Sequence, residues 1–268
     1  MAKRIVSGFI IALVALVAAA VGGELLLVTL FLSSCVAFYE LANAVDGKLG
    51  KGKLNAVRVV GTVAIVLFYL CMYLDMKEVY LMAVTVMVLW SLLLVYVFAF
   101  PKYNIGQISK MFFCFFYSTV MLSFVYYVRG LEAGVFLVAL IMAASWGSDT
   151  SAFIVGKLLG KHKLVPKLSP KKTVEGAIGG VVGAAIIAGI WAYFFLQDSY
   201  NIFFIIGVTA VCAILSQMGD LVASAIKRDN NLKDYGNIIP GHGGIMDRFD
   251  SMIYIAPILY FLLVIYPK

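Results

Sequence analysis

Between Ser224 and Asp250 the chain reads S-A-I-K-R-D-N-N-L-K-D-Y-G-N-I-I-P-G-H-G-G-I-M-D-R-F-D, with four basic residues, four acids, a histidine and four glycines in 27 positions. Carboxylates, cations and permissive backbone at this density suit phosphate chemistry around a hard divalent cation. Magnesium takes oxygen ligands in octahedral geometry, usually one or two carboxylates, and fills the remaining positions with substrate phosphates and water. Asp247, together with Asp220 in the preceding S-Q-M-G-D-L, could supply such a pair. Asp250 is spaced i, i+3 from Asp247 and shares its helix face if a helix begins there. Arg248, between them, can grip a phosphate through two parallel N–H groups. Gly241, Gly243 and Gly244 around His242 permit a tight turn whose amides approach a phosphate closely. Taken alone, G-H-G-G is weak evidence, because glycine turns are common where helices begin.

Two more groups belong to this chemistry. Lys161 to Glu175 reads K-H-K-L-V-P-K-L-S-P-K-K-T-V-E. Ser169-Pro170 has the form of a helix start, with Ser as N-cap and Pro in the first turn. Lys171 and Lys172 would then crowd cations at a helix N-terminus, which is unfavourable unless an anion is bound there. His162 is read as a solvated loop residue rather than a catalyst. Asp149 lies inside an apolar run, within A-A-S-W-G-S-D-T-S-A-F, roughly 22 Å along a helix counted from Gly134. Intramembrane carboxylates are costly unless paired or hydrated, so Asp149 and Asp220 are functional candidates; the bland alternative is that each only pairs with a lysine. The small neighbours Ala143, Ala144, Ser145, Gly147, Ser148 and Ser151 leave room for close helix packing or for a ligand.

The elements that must hold these groups are membrane helices. The 268 residues are 63% hydrophobic and 13% charged, and the mean hydropathy is +1.00, far outside the range of soluble domains. Nine apolar runs reach or approach the ~20 residues that span a bilayer: about 5–21, 25–40, 59–74, 79–100, 111–128, 134–155, 176–196, 201–223 and 252–267. Backbone groups in lipid must be satisfied internally, and the runs do not alternate as barrel strands do, so the fold class is all-α, a polytopic integral membrane protein. Lys3, Arg4 and Ala18-Ala19-Ala20 give the first run the outline of a signal peptide, but it is long for one and another helix follows at once, so it is read as retained. With the N-terminus in the cytoplasm, 18 of the 21 Lys and Arg residues fall on the cytoplasmic side, in agreement with the positive-inside rule. Topology and anionic headgroups account for Lys48 to Arg58; the clusters at 157–172 and 227–248 go further. Residues 1–130 form a nearly featureless scaffold, and the chemistry sits in 131–268. Cys35, Cys71, Cys114 and Cys212 lack ligand spacing and are read as free core thiols, which argues against zinc.

With these residues assembled, the chain resembles the phosphatidate cytidylyltransferases (CDP-diacylglycerol synthases). Ser224, Lys227, Arg228, Lys233, Asp234, Gly236, Pro240, His242, Gly243, Gly244, Asp247, Arg248 and Asp250 meet that family's signature without a gap. The S-P-K-K-T-x-E-G pattern at Ser169 to Gly176, S-D-T around Asp149 and G-D-L around Asp220 also match. Ala223 stands where many relatives carry a glutamate, and Ser151 replaces a common glycine. The first departure puts in doubt a metal or substrate role for an acid at that position; the second is conservative.

The resemblance implies the reaction of CTP with phosphatidate to give CDP-diacylglycerol and pyrophosphate. It implies Mg2+ at Asp220 and Asp247, with Asp250 in close support and a second cation such as K+ left open. Lys227, Arg228, Lys233 and Arg248 would neutralise phosphates, and Lys171 and Lys172 would assist. Asp149, Asp234, Ser224, Gly243 and Gly244 would line the substrate site, and His242 would donate to phosphate or pack the turn. The partners implied are a membrane lipid and CTP, with no nucleic acid and with a homodimer open. A bacterial inner membrane is the expected location. A secondary transporter with intramembrane aspartates is the main rival, although no internal repeat is visible and the polar residues gather at one face. The D-G-x-x-A-R pattern of the CDP-alcohol phosphotransferases is absent.

Overall fold

The computed structural model describes residues 13–45, 55–238 and 243–265. Eight helices among them are long and apolar enough to cross a membrane: α1 (Gly23–Val45), α2 (Ala56–Tyr73), α3 (Glu78–Phe98), α4 (Ile105–Gly130), α5 (Gly134–Leu159), α6 (Val174–Phe195), α7 (Ile202–Asp229) and α8 (Met246–Ile265). The chain is an all-α polytopic integral membrane protein. Eight of the nine runs read from the sequence correspond to these helices. The ninth, 5–21, lies partly outside the described residues and is helical from 13 to 21.

Several helices outrun their apolar runs. α1 continues past residue 40, α4 starts at Ile105 rather than 111, α7 continues to Asp229 and α8 starts at Met246 rather than 252. Hydropathy marks the stretch that crosses lipid, whereas a helix ends where its terminal amides and carbonyls find other partners. Asn104 supplies such a partner: its side chain accepts from the Gln107 amide at 3.0 Å and the Gln107 side chain accepts from the Asn104 amide at 3.0 Å, a reciprocal cap.

The chain divides into two compact units, residues 1–123 with 230–248, and residues 124–229 with 249–268. In the first, Ser34 on α1 donates to the Ser118 carbonyl at 2.9 Å and shares a 2.8 Å hydrogen bond with Tyr69 on α2. Ser118 sits in a π-helical turn, Phe116–Met121, within α4. The C-terminus of α1 is closed by two cations. Arg58 donates to the Asn43 side chain at 2.7 Å and reaches the Ala42 carbonyl, while Lys110 donates to the Val45 carbonyl at 3.0 Å. Cations there complement the negative end of the helix dipole. Arg58 is 2% exposed, so it has a buried structural role that its count as a topological charge does not anticipate.

In the second unit α5 and α6 run side by side along a seam of small residues. A Cβ at Gly176 would press on the Ala152 carbonyl, one at Gly179 on Val155, one at Gly180 on Ser148, and one at Gly183 on Ser151. The spacing 176, 179, 180, 183 keeps these glycines on one helix face and brings the two backbones together. Ser148 and Ser151 are among the small residues read from the sequence as permitting close packing. The outer face of α6 carries Ile178, Val182, Ile186 and Ile190, all exposed, as expected for residues that meet lipid. At one end of the pair Trp191 donates to the Phe136 carbonyl at 3.0 Å and packs with Phe136 and Phe195. At the other end the chain leaves α5 and forms a two-stranded hairpin before α6 begins.

Candidate active site

That hairpin pairs β1 (Lys163–Val165) with β2 (Ser169–Thr173) in antiparallel register, Lys163 opposite Thr173 and Val165 opposite Ser169. The helix start expected at Ser169-Pro170 is therefore displaced. Ser169 and Pro170 lie in β2, and Thr173 is the cap, extended at φ −122° and accepting from the Gly176 amide at 3.1 Å. Pro170 is tolerated because a two-stranded sheet is all edge. Lys171 and Lys172 are thus strand residues that precede the cap and lie outside the first turn of α6. Glu175 occupies the first turn of α6 instead, where a carboxylate is favoured. It accepts from the Lys161 amide at 3.0 Å and the His162 amide at 3.2 Å, and meets His162 Nδ1 at 2.6 Å. One carboxylate thereby clips the approach to β1 onto the start of α6. His162 is exposed, as the sequence reading expected, yet it has this partner.

Under the hairpin lies a cleft of about 380 Å³. Its walls are apolar at Ala152, Phe153, Leu164 and Ala177, and its charged groups are Asp149, Lys157, Lys171, Lys172 and Asp220. Lys172 and Asp220 form an ion pair. Gln217, one turn before Asp220, is 9% exposed and donates to Ser148 Oγ at 3.2 Å and the Ala177 carbonyl at 3.0 Å, which ties α7 to both helices of the seam. Asp149 follows a second π-helical turn, Ala143–Gly147. Such turns widen a helix locally and recur at functional sites.

Asp250 is 6% exposed, and its Oδ1 accepts from the Ser251 amide at 2.7 Å. Asp220, Lys227 and Asp149 lie within its electrostatic reach. Gly219 lets α7 and α8 meet here, because a Cβ at 219 would press on Tyr254. Asp149, Asp220, Asp250, Lys171, Lys172 and Lys227 are therefore gathered in the second unit. Ser224 stands one turn beyond Asp220 on α7, and Lys227 and Arg228 occupy the last turn of that helix.

Asp234, Lys233, Gly243, Gly244, Asp247 and Arg248 belong to the first unit. Lys233 and Asp234 are exposed loop residues. Gly243 has φ +82°, which a side chain would disfavour, and a Cβ there would press on Asp247. Asp247 Oδ2 accepts from the Tyr235 amide at 2.8 Å and the Gly244 amide at 3.0 Å. It stands in the first turn of α8, with Asp250 in the same helix, as the i, i+3 spacing anticipates. Pro240, Gly241 and His242 lie outside the described residues. Among the described residues no three His, Cys, Asp or Glu side chains form a ready metal cage.

Residues 2–266 match the profile of the Cytidylyltransferase family. The chain belongs to that family. As a cytidylyltransferase it is a nucleotidyltransferase, and a charged cleft beside clustered carboxylates is the equipment such a transfer requires. It is similar to the phosphatidate cytidylyltransferase of Bacillus subtilis (strain 168), 32% identical over 280 residues that cover 99% of this chain and 98% of that protein. It is also similar to the phosphatidate cytidylyltransferase of Staphylococcus haemolyticus (strain JCSC1435), 37% identical over 145 residues, 54% of this chain and 55% of that protein. The Staphylococcus aureus (strain COL) protein of the same name is 33% identical over the same share.

Four residues of this cytidylyltransferase's polar framework escape a reading by charge density. Lys157 lies in the last turn of α5 and was counted only within a basic cluster. Gln217 and Thr173 are uncharged. Glu40 lies in the N-terminal part read as scaffold. The signal that could have found Glu40 is a lone acid in an otherwise apolar run.

Proposed function

We propose that this chain is a phosphatidate cytidylyltransferase, joining CTP to phosphatidate with release of pyrophosphate. The observation that carries the reading is the cleft under the hairpin: three lysines and two aspartates share its lining with apolar residues, in a chain matched over residues 2–266 by a cytidylyltransferase family. An anionic headgroup with acyl chains suits such a cleft. A phosphate oxygen of the lipid attacks the α-phosphorus of CTP, the new P–O bond forms, and the bond to the β-phosphate oxygen breaks, so that pyrophosphate leaves with the electron pair. A phosphate monoester is largely ionised at neutral pH, since its second pKa is about 6, and needs little general-base help. The work left to the protein is positioning and charge neutralisation.

Lys157, Lys171 and Lys172 neutralise phosphate in the cleft. Lys227, Arg228, Lys233 and Arg248 take the remaining phosphates and the leaving pyrophosphate. The assignment of magnesium to Asp220 and Asp247, with Asp250 in support, is carried over from the sequence pattern alone; when bound, the ion would offset charge on the phosphate oxygens. The donors suit it, because Asp220 offers a part-exposed carboxylate at the wall of a cleft, where substrate phosphate can complete the coordination. The lysine-rich faces are assigned to the cytoplasm, on the strength of the 18 of 21 basic residues that fall there, and the membrane to the bacterial inner membrane, since the named relatives are bacterial.

The test uses purified protein in detergent with phosphatidate, magnesium and labelled CTP, comparing wild type with Asp247→Asn. Lipid-dependent product that vanishes in a folded Asp247→Asn variant supports the reaction and the metal assignment together. Product that persists in the variant keeps the reaction and removes that metal site. No product from folded wild type overturns the reading.

A further inference from the structure

Glu40 on α1 is 3% exposed. A carboxylate at that depth is costly unless something in the fold uses it. Its Oε2 accepts from the Met246 amide at 2.9 Å, across 206 positions of sequence. Met246 is the first residue of α8, and Ile245 before it has no side-chain acceptor to cap the helix. Glu40 therefore performs from a distant helix what an N-cap side chain performs locally, and its charge faces the positive end of α8. The loop is also built around it in space. A Cβ at Gly236 or at Gly244 would overlap the Glu40 carboxylate. These two positions are glycine because the carboxylate fills the volume a side chain would need.

Gly244 joins this carboxylate to a second one. Its α-carbon lies against Glu40 while its amide donates to Asp247 Oδ2 at 3.0 Å, and the same oxygen accepts from Tyr235 at 2.8 Å. Glu40 thus holds Met246 at the start of α8 and packs against Gly244, both just before Asp247 in the chain. We infer that Glu40 is a positioning residue for Asp247, acting through the backbone of Gly244 and Met246. The inference rests on the catalytic assignment of Asp247 made above.

The test uses the full-length protein in detergent as wild type, Glu40→Gln, Glu40→Ala, Gly244→Ala and the Glu40→Ala/Gly244→Ala double variant. Two readouts are taken: hydrogen exchange of segment 233–250, and the magnesium dependence of phosphatidate-dependent CTP turnover. Glu40→Ala is expected to speed exchange at Tyr235 and Gly244, to leave α2 and α3 unchanged, and to cost about 10–100-fold in activity or magnesium affinity, the scale for groups that orient a metal ligand. Glu40→Gln keeps the shape and an acceptor for Met246, and is expected to restore most of both. Gly244→Ala is expected to be severe in wild type and mild beside Glu40→Ala, because the overlapping carboxylate is gone. Unchanged exchange and unchanged magnesium dependence in Glu40→Ala overturn the inference. Equal loss in Glu40→Gln and Glu40→Ala with unchanged exchange also overturns it, since the charge would then act on ligand directly. If Glu40→Ala does not fold, Glu40→Asp, which draws the carboxylate back from Met246, takes its place and is read against the same two outcomes. A wild type that turns over no CTP removes the proposed function, while the exchange readout still reports whether Glu40 organises the loop.

Discussion

Lys172 on β2 and Asp220 on α7 hold one another as an ion pair, with side chains 27% and 30% exposed. Under the proposed function, a cation that would serve phosphate and a carboxylate that would serve the metal neutralise each other, and ligand binding would exchange this pair for two new ones. The two partners should fail differently. Lys172→Met is expected to lower turnover by about 100-fold, the scale for removing a preorganised charge from a phosphoryl site, without weakening magnesium, because Asp220 has lost its competitor. Asp220→Asn is expected to push the magnesium requirement out of the millimolar range. Magnesium titrations of both variants check this, and parallel curves would argue against the division of labour.

Chelating divalent cations should abolish turnover, and added magnesium should restore it in wild type. In Asp247→Asn the same addition should restore little. Activity that survives exhaustive chelation would remove the metal from the reaction.

The α5–α6 seam leaves no room for side chains. Gly180→Val and Gly183→Val must displace Ser148 or Ser151, and each is expected to cost about 1–3 kcal/mol by overpacking. Ile186→Leu, on the exposed face of α6, should stay close to wild type. Thermal unfolding in detergent distinguishes the two classes.

The hairpin's tethers should rank in a definite order. His162→Ala leaves the two backbone amides still bonded to Glu175, so its effect should be small. Glu175→Ala removes all three contacts, and Thr173→Val removes a cap of about 1 kcal/mol. Limited proteolysis across residues 163–172 is expected to accelerate strongly in Glu175→Ala, moderately in Thr173→Val and barely in His162→Ala.

Hydropathy was enough to read eight of the membrane helices, because lipid imposes a long apolar run on each. Their ends were less legible. Lys227, Arg228, Asp247 and Arg248 look like loop by composition, yet they lie in helical turns that extend beyond the apolar runs. The Ser169-Pro170 start failed because a hairpin offered β2 a partner strand, and the capping signal moved four residues on to Thr173. Arg58 counts as a topology charge by its type, and its further role as a cap depends on Asn43 and the end of α1 being within reach. Glu40 was hidden for a similar reason: its partners are glycines and a backbone amide some 200 positions away, and neither carries a compositional mark.

The glycine seam also divides α6 into two histories. Positions 178, 182, 186 and 190 face outward and ask only for an apolar side chain, so they are free to drift with the lipids of whichever membrane the protein inhabits. Positions 176, 179, 180 and 183 take a larger group only if α5 gives way. A saturation library of this one helix should therefore separate into a permissive stripe and a restricted one, and the boundary between them would trace the line along which α6 meets α5 without any further structure being solved.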